Sequence, residues 1–200
     1  MSKSKKRKLP AKTIKYLNQA GIKHDWLEHK TIYTAIDAAN TMKKKMDQIA
    51  KSLLIKADKD YYMIILPADQ NLDIEKLKKV LSKSQQKEIK VVKIPGEKMA
   101  REVRKVKNDA ISAFGSLYKV PVLMDKKMSK IKKAVFSSDS FNHSVEMAVK
   151  DFISLEEAVV DSFGVKKKIK PSPKTKKKVA KKATKKKTVK KVAKKTFKKK

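Results

Sequence analysis

Two apolar runs, IAKSLLIKA (49–57) and YYMIILPA (61–68), stand on either side of Asp58-Lys59-Asp60. Runs of this length, rich in Ile, Leu and Tyr and broken by a polar turn, read as a β-hairpin. One residue in the first run is out of place. Strand side chains alternate between faces, so Ile49, Lys51, Leu53 and Ile55 share one side. Ala50, Ser52, Leu54 and Lys56 share the other. A lysine among three large aliphatic residues is uncommon. Two readings are open: its stem packs on Ile49 and Leu53 while the ammonium reaches water, or it projects into a cavity.

The rest of the body mixes helices and strands irregularly. Ala11 to Ala20 reads as a helix closed by Gly21. HDWLEH (24–29) reads as extended, and Thr34 with Asp37 as a capping box opening TAIDAANTM. DIEKLKKVL (73–81) has Ile74, Leu77, Val80 and Leu81 at helical spacing. KVVKI (90–94) is expected as a strand, and Pro95 as the start of a helix through PGEKMAREVRKV. LYKVPVLMD (117–125) is expected as a strand that Pro121 places at an edge or bulge. AVFSS (134–138) and SVEMAVKDF (144–152) follow as strands, and Ser154 with Glu157 as the cap of a last helix ended by Gly164. This order predicts one compact α/β (α+β) domain with a mixed sheet flanked by helices.

Charge divides the chain. Residues 166–200 hold twenty lysines and no acid, and residues 1–12 add +6, which leaves +8 of the formal +34 for 13–165. The tail has too little apolar surface to offset the entropy of ordering, and its like charges repel. The expected organisation is therefore a basic arm (1–10), a folded domain (11–164) and a disordered Lys-rich tail (165–200). Such a tail suits generic nucleic acid. It lacks the bulky apolar anchors of a membrane-binding segment. There is no cysteine, hence no disulfide framework or thiolate site. With no apolar run of membrane-spanning length and no signal-peptide pattern, a cytoplasmic, nucleic-acid-associated location is expected.

His24, His29 and His143 lack metal-ligand spacing, and HExxH, GxGxxG, Walker and GxSxG motifs are absent. Segment order is more specific. HKTIYTAIDAA, then IAKSLLIKADKDYYMIILPADQNLDIEKLKKVL, then AFGSLYKVPVLMD, resembles the YbaK/prolyl-tRNA-synthetase-associated domain family of trans-editing aminoacyl-tRNA deacylases. The resemblance spans roughly residues 11 to 160. It implies a partly barrel-like sheet and a pocket for the aminoacylated 3′ end of tRNA, walled by the lysine of a K-[ST]-L motif, here Lys51-Ser52-Leu53. It casts Lys51 as the catalytic cation, and His29, Thr34, Ser52, Ala113, Phe114, Gly115 and Ser116 as substrate-binding. Backbone amides from Ala113 to Ser116 would stabilise the oxyanion. Thr34 as a plain cap, His29 as a strand-end histidine, Phe114 as core and Asp125 as the start of a turn are the structural alternatives.

The chain departs from the family at two loops. Where members read GAIPP it has Asp109-Ala110-Ile111-Ser112-Ala113, and where many read FNAG it has Phe136-Ser137-Ser138-Asp139. Asp109, Ala113 and Asp139 are thus altered positions, expected to cost backbone freedom and to add negative charge beside an RNA end. The implied activity is hydrolysis of the ester of a mischarged tRNA, with no metal or cofactor. The alternative is a degenerate module that binds tRNA or other nucleic acid, its tail the working part. An aminoacyl-tRNA synthetase is a further expected partner.

Overall fold

A computed structural model of the chain describes residues 9–96, 103 and 110–167. The chain divides into units Met1–Lys168 and Ile169–Lys200, and all described residues belong to the first. The helix expected from Pro95 onward falls, but for its first residues and Val103, outside the described residues, as do residues 1–8 of the arm and the tail from 168.

Helix α1 (Ala11–Ala20) ends on Gly21 in the left-handed region, φ 63°, a conformation open to glycine at little cost. Strand β1 (His24–Glu28) leads to α2 (Ala35–Met42). The hairpin is β2 (Ala50–Ala57) and β3 (Asp60–Pro67), antiparallel, with Ala57 opposite Asp60 and Lys51 opposite Leu66. Its connection is thus the two residues Asp58-Lys59, with Asp60 already in the strand. Asp58 takes φ 50°, and its carboxylate accepts from the Val91 amide at 2.9 Å. That bond docks the short β5 (Val92–Lys93) against β2.

After β4 (Gln70–Leu72) comes α3 (Ile74–Gln85), capped by the Asp73 carboxylate on the Lys76 amide. Strand β6 (Val122–Asp125) pairs in parallel with β3 on one side and with β9 (Val159–Asp161) on the other. The edge position expected for Pro121 is therefore corrected, because β6 is interior. Pro121 lies just before the strand, where its missing N–H costs no ladder bond and its carbonyl accepts from the Met63 amide at 2.8 Å.

The short α4 (Lys126–Ser129) precedes β7 (Lys133–Ser137) and β8 (His143–Ala148), and α5 (Val149–Glu156) follows without a break. The long strand 144–152 and the helix capped at Ser154 are both overturned. Val149, Phe152 and Glu156 recur at helical spacing and are buried, so core packing selects helix where the residues before it alternate. Glu157 ends the helix at φ 47°. The chain does not close at Gly164, since β10 (Gly164–Lys166) pairs antiparallel with β4.

The described residues form three sheets: β5-β2-β3-β6-β9, mixed; β1-β8-β7, antiparallel; and β10-β4. The first two meet at a parallel bridge between Ile49 and Val135, and among the described residues they do not close into a barrel. One core packs Met63, Ile65 and Leu54 against Phe114, Phe136 and Phe152, with Phe136 and Phe152 stacked at 4.2 Å. On the sheet's other face Ile55, Tyr62, Ile64 and Leu66 pack on Leu77, Leu81 and Phe163. A third cluster holds α2 to the sheet junction through Ala38, Ala39, Ile49 and Val135. Each face of β2 thus meets a different core, with the alternation read from the sequence.

Candidate functional site

A cavity of about 370 Å³ wraps the start of β2, so residues from both strand faces reach it. Its walls are Ile49 to Leu53, the Ile32–Ala35 segment leading into α2, Ala110 and Ile111, and the β7–β8 connection with Ser137, Ser138, Ser140, Phe141 and Ser144.

Lys51 is half-buried in this wall, and its ammonium donates to the Gln70 carbonyl at 2.9 Å. Gln70 lies on β4, which β10 covers. Burial pushes the Lys51 pKa down from 10.5, and the charge of Lys167, just beyond β10, pushes it the same way. Among the described residues the ammonium has this one hydrogen-bond partner, so its other protons are open to an acceptor. On the opposite face of the strand the Ser52 and Ser137 hydroxyls lie 3.1 Å apart. One proton serves that bond, and the other can donate to a ligand.

Thr34 lies on the cavity wall and also caps α2. Its hydroxyl accepts from the Asp37 amide at 3.1 Å and donates to the Asp37 carboxylate at 2.7 Å. His29 stands behind the wall rather than on it. Its Nδ1 meets the Lys30 carbonyl at 2.9 Å, so it carries a proton there, and Nε2 lies 2.9 Å from Ser144 Oγ. His29 instead lines a separate open depression with Glu28, Lys30 and Lys44.

The expectation for 113–116 is corrected. Ala113, Phe114 and Gly115 are buried in the core, and none of the four lines the cavity. The Ala113 amide donates to the Ser137 carbonyl at 2.9 Å, and the Ser116 amide to the Glu156 carboxylate at 2.9 Å. They are not turned to an oxyanion. Gly115 is required by packing: a Cβ there would meet the Val120 carbonyl and Val122 Cγ2, each at 2.5 Å. Glu156 also accepts from Tyr16 at 2.8 Å. Burial pushes the Glu156 carboxyl up and the Tyr16 phenol to about 12.

Asp139 does not itself line the cavity. Its carboxylate accepts from the buried Thr13 hydroxyl at 2.6 Å and stays off the lining. Asp109 lies outside the described residues. Asp125 begins a turn, as its alternative reading held, and does more. It is buried and accepts from the amides of Lys127 at 2.9 Å, Phe163 at 3.0 Å and Gly164 at 2.7 Å, holding β10 in place.

Tyr33, Phe141 and the serine wall were not singled out from the sequence. The run FSSDSFNHS (136–144) carried the signal. Among the described residues no group of three His, Cys, Asp or Glu converges to hold a metal ion, and no helix is long and apolar enough to cross a membrane.

No curated protein matches the chain. Solved structures do. The hypothetical protein APE2540 superposes with a TM-score of 0.67 at 18% identity, over 77% of this chain and 99% of its own. A candidate trans-editing enzyme for prolyl-tRNA synthetase gives a TM-score of 0.67 at 16% identity, over 78% of this chain and 96% of its own. At these identities the likeness is one of fold. The family model of the aminoacyl-tRNA editing domain matches residues 29–155, which takes in the cavity, β2 and Lys51. The chain belongs to the aminoacyl-tRNA editing domain family, the YbaK family.

Proposed function

We propose that the chain is a trans-editing deacylase that hydrolyses the ester between an amino acid and the terminal ribose of a mischarged tRNA. The observation that carries this reading is the half-buried Lys51 in the wall of the cavity around β2, in a chain of the editing family. In this reading the aminoacyl ester enters beside β2 and water attacks its carbonyl carbon. The C–O bond to the ribose breaks, and the ribose oxygen leaves with a proton. Lys51 holds a phosphate of the 3′ end or the developing oxyanion. An ammonium there acts through less water than one in solution, and so more strongly. The free proton of the Ser52–Ser137 pair is the second donor. These replace the 113–116 amides.

The Gln70 carbonyl keeps the ammonium aimed, which lessens the reorganisation left for the transition state. Bound RNA returns negative charge to the site and restores the proton that burial and Lys167 disfavour. The Lys-rich tail supplies attraction to RNA phosphates and speeds encounter. An aminoacyl-tRNA synthetase is a proposed partner, and the cytoplasm the proposed location.

The test is deacylation of a panel of mischarged tRNAs, including Ala-tRNA(Pro) and Cys-tRNA(Pro), by the wild-type protein and Lys51→Ala. Turnover should fall by ~10²–10³-fold in the variant, the range seen when one such electrostatic donor is lost. In wild type, kcat/KM should decline at alkaline pH below 10.5, the ordinary lysine value from which Lys51 is lowered. Lys51→Arg, charged throughout, should move that limb away. Absence of turnover on every tRNA would leave a nucleic-acid-binding module instead.

A further inference from the structure

Tyr33 is the most exposed of the large hydrophobic residues named among the described residues, at 76%. It is nonetheless held in place. It lies on the cavity rim, and its ring meets that of Phe141 at 5.2 Å between centroids, tilted by 52°. The segments bearing the two rings are stitched by three bonds. The Ile32 amide donates to the Phe141 carbonyl at 3.0 Å, the His29 amide to the Asn142 carbonyl at 3.0 Å, and the Asn142 side-chain amide to Thr31 Oγ1 at 2.9 Å. The chain leading into Tyr33 is thus tied to Phe141 and Asn142, while the Tyr33 ring stays open to solvent.

An exposed aromatic gains from burial only when a partner covers it, and its π-face suits a flat, polarisable one. The same cavity carries the Lys51 ammonium and a free hydroxyl proton. At about 370 Å³ it is near the small end of ligand pockets, room for an aminoacyl ribose whose base must lie at the rim. A cation, hydroxyl donors and an aromatic shelf together match a nucleotide: phosphate, sugar and base.

We infer that Tyr33, braced by Phe141, is the stacking platform for the unpaired 3′-terminal base of the RNA whose ester enters the cavity. The inference rests on the deacylase reading for the identity of the RNA and adds the part of the site that holds its base. Stacking is tolerant of base identity, so the platform fixes where the end lies and leaves tRNA choice to other contacts. A protein surface is the other conceivable occupant, and the test separates the two.

The probe is an RNA hairpin with a single-stranded end terminating in 2-aminopurine, whose fluorescence is quenched on stacking. It reports locally, so RNA held elsewhere by the Lys-rich tail does not quench it. Full-length wild type and Tyr33→Phe should quench it saturably. Tyr33→Ala should require about 5- to 150-fold more protein for the same quenching, the equivalent of ~1–3 kcal/mol per stacked base. Because Tyr33 is exposed, the variant should keep the wild-type melting temperature.

No quenching by wild type would overturn the inference and point to a protein partner for the shelf. Equal quenching by Tyr33→Ala would overturn it too, as would loss of quenching in Tyr33→Phe, which keeps the ring. Hydrolysis of the mischarged panel is scored separately. Turnover without quenching sinks only the platform; quenching without turnover on any tRNA sinks only the deacylase reading.

Discussion

Gly164 does not line the cavity, yet replacing it with alanine should disturb Lys51. A Cβ there would overlap Gln70 Oε1 and come within 3.0 Å of Asp125 Oδ2. Neither neighbour can easily give way. Gln70 is 1% exposed, so close packing alone resists the movement of its side-chain amide, which has no hydrogen-bond partner among the described residues. Asp125 is pinned by three backbone amides. Overpacking of this kind costs about 1–3 kcal/mol. In a chain of this size that lowers Tm by about 2–12 °C, at ~2–4 °C per kcal/mol. Because the Gln70 carbonyl holds the Lys51 ammonium, turnover of a mischarged tRNA should fall as well. The check is a double-mutant cycle of Gly164→Ala and Gln70→Ala by urea denaturation. Removing the Gln70 side chain should recover most of the loss. If Gly164→Ala costs as much in the Gln70→Ala background as in wild type, the clash is not with Gln70 and the proposed link to Lys51 fails.

Two further outcomes are expected. Glu156 has its carboxyl pushed up from 4.5, chiefly by burial, so the folded state binds its proton more tightly than the unfolded one. Its contribution is full below 4.5 and is lost as pH rises through the folded value. Urea midpoints measured from acid to neutral pH should decline across that window, and Glu156→Gln should flatten the decline. Removing 168–200 should flatten the fall of log affinity for duplex DNA with log salt, which runs at about −0.9 per phosphate neutralised. Turnover of a minimal aminoacyl ester should be unchanged, and its loss would refute this division of labour. The cut belongs after Lys167, because β10 extends to Lys166 and the Lys167 amide donates to the Asp69 carbonyl at 3.0 Å.

What could be read from the sequence was what depends on near neighbours. The Gly21 stop, the Thr34–Asp37 box and the hairpin each turn on residues a few positions apart, so their chemistry is complete within a short window. Lys51 stood out for the same reason, through alternation within one strand. The misreadings come where no local signal marks a change. β8 passes into α5 at Ala148, which makes no side-chain cap, so nothing local marks where the alternating pattern stops. Pro121 suggested an edge because no sequence signal tells that β9, far downstream, covers β6. The aromatic shelf needed the Ile32 and Phe141 segments side by side, a meeting that only the folded sheet arranges.

The altered loops bear on whether the pocket survives, and the described one is rebuilt rather than lost. From 137 to 143 no residue takes a positive φ, so this loop never uses the freedom that glycine would give. Serine side chains shape it instead. Ser138 donates to the His143 carbonyl at 2.6 Å, and Ser140 accepts from the Asn142 amide at 3.1 Å. Such local bonds hold a tight turn in ordinary backbone conformations. The loop's acid is bonded to Thr13 on α1 and does not line the cavity. Burial of the Lys51 charge is unfavourable in the free protein and is offset in part by the Gln70 carbonyl; in the deacylase reading proposed above, an incoming phosphate offsets the rest.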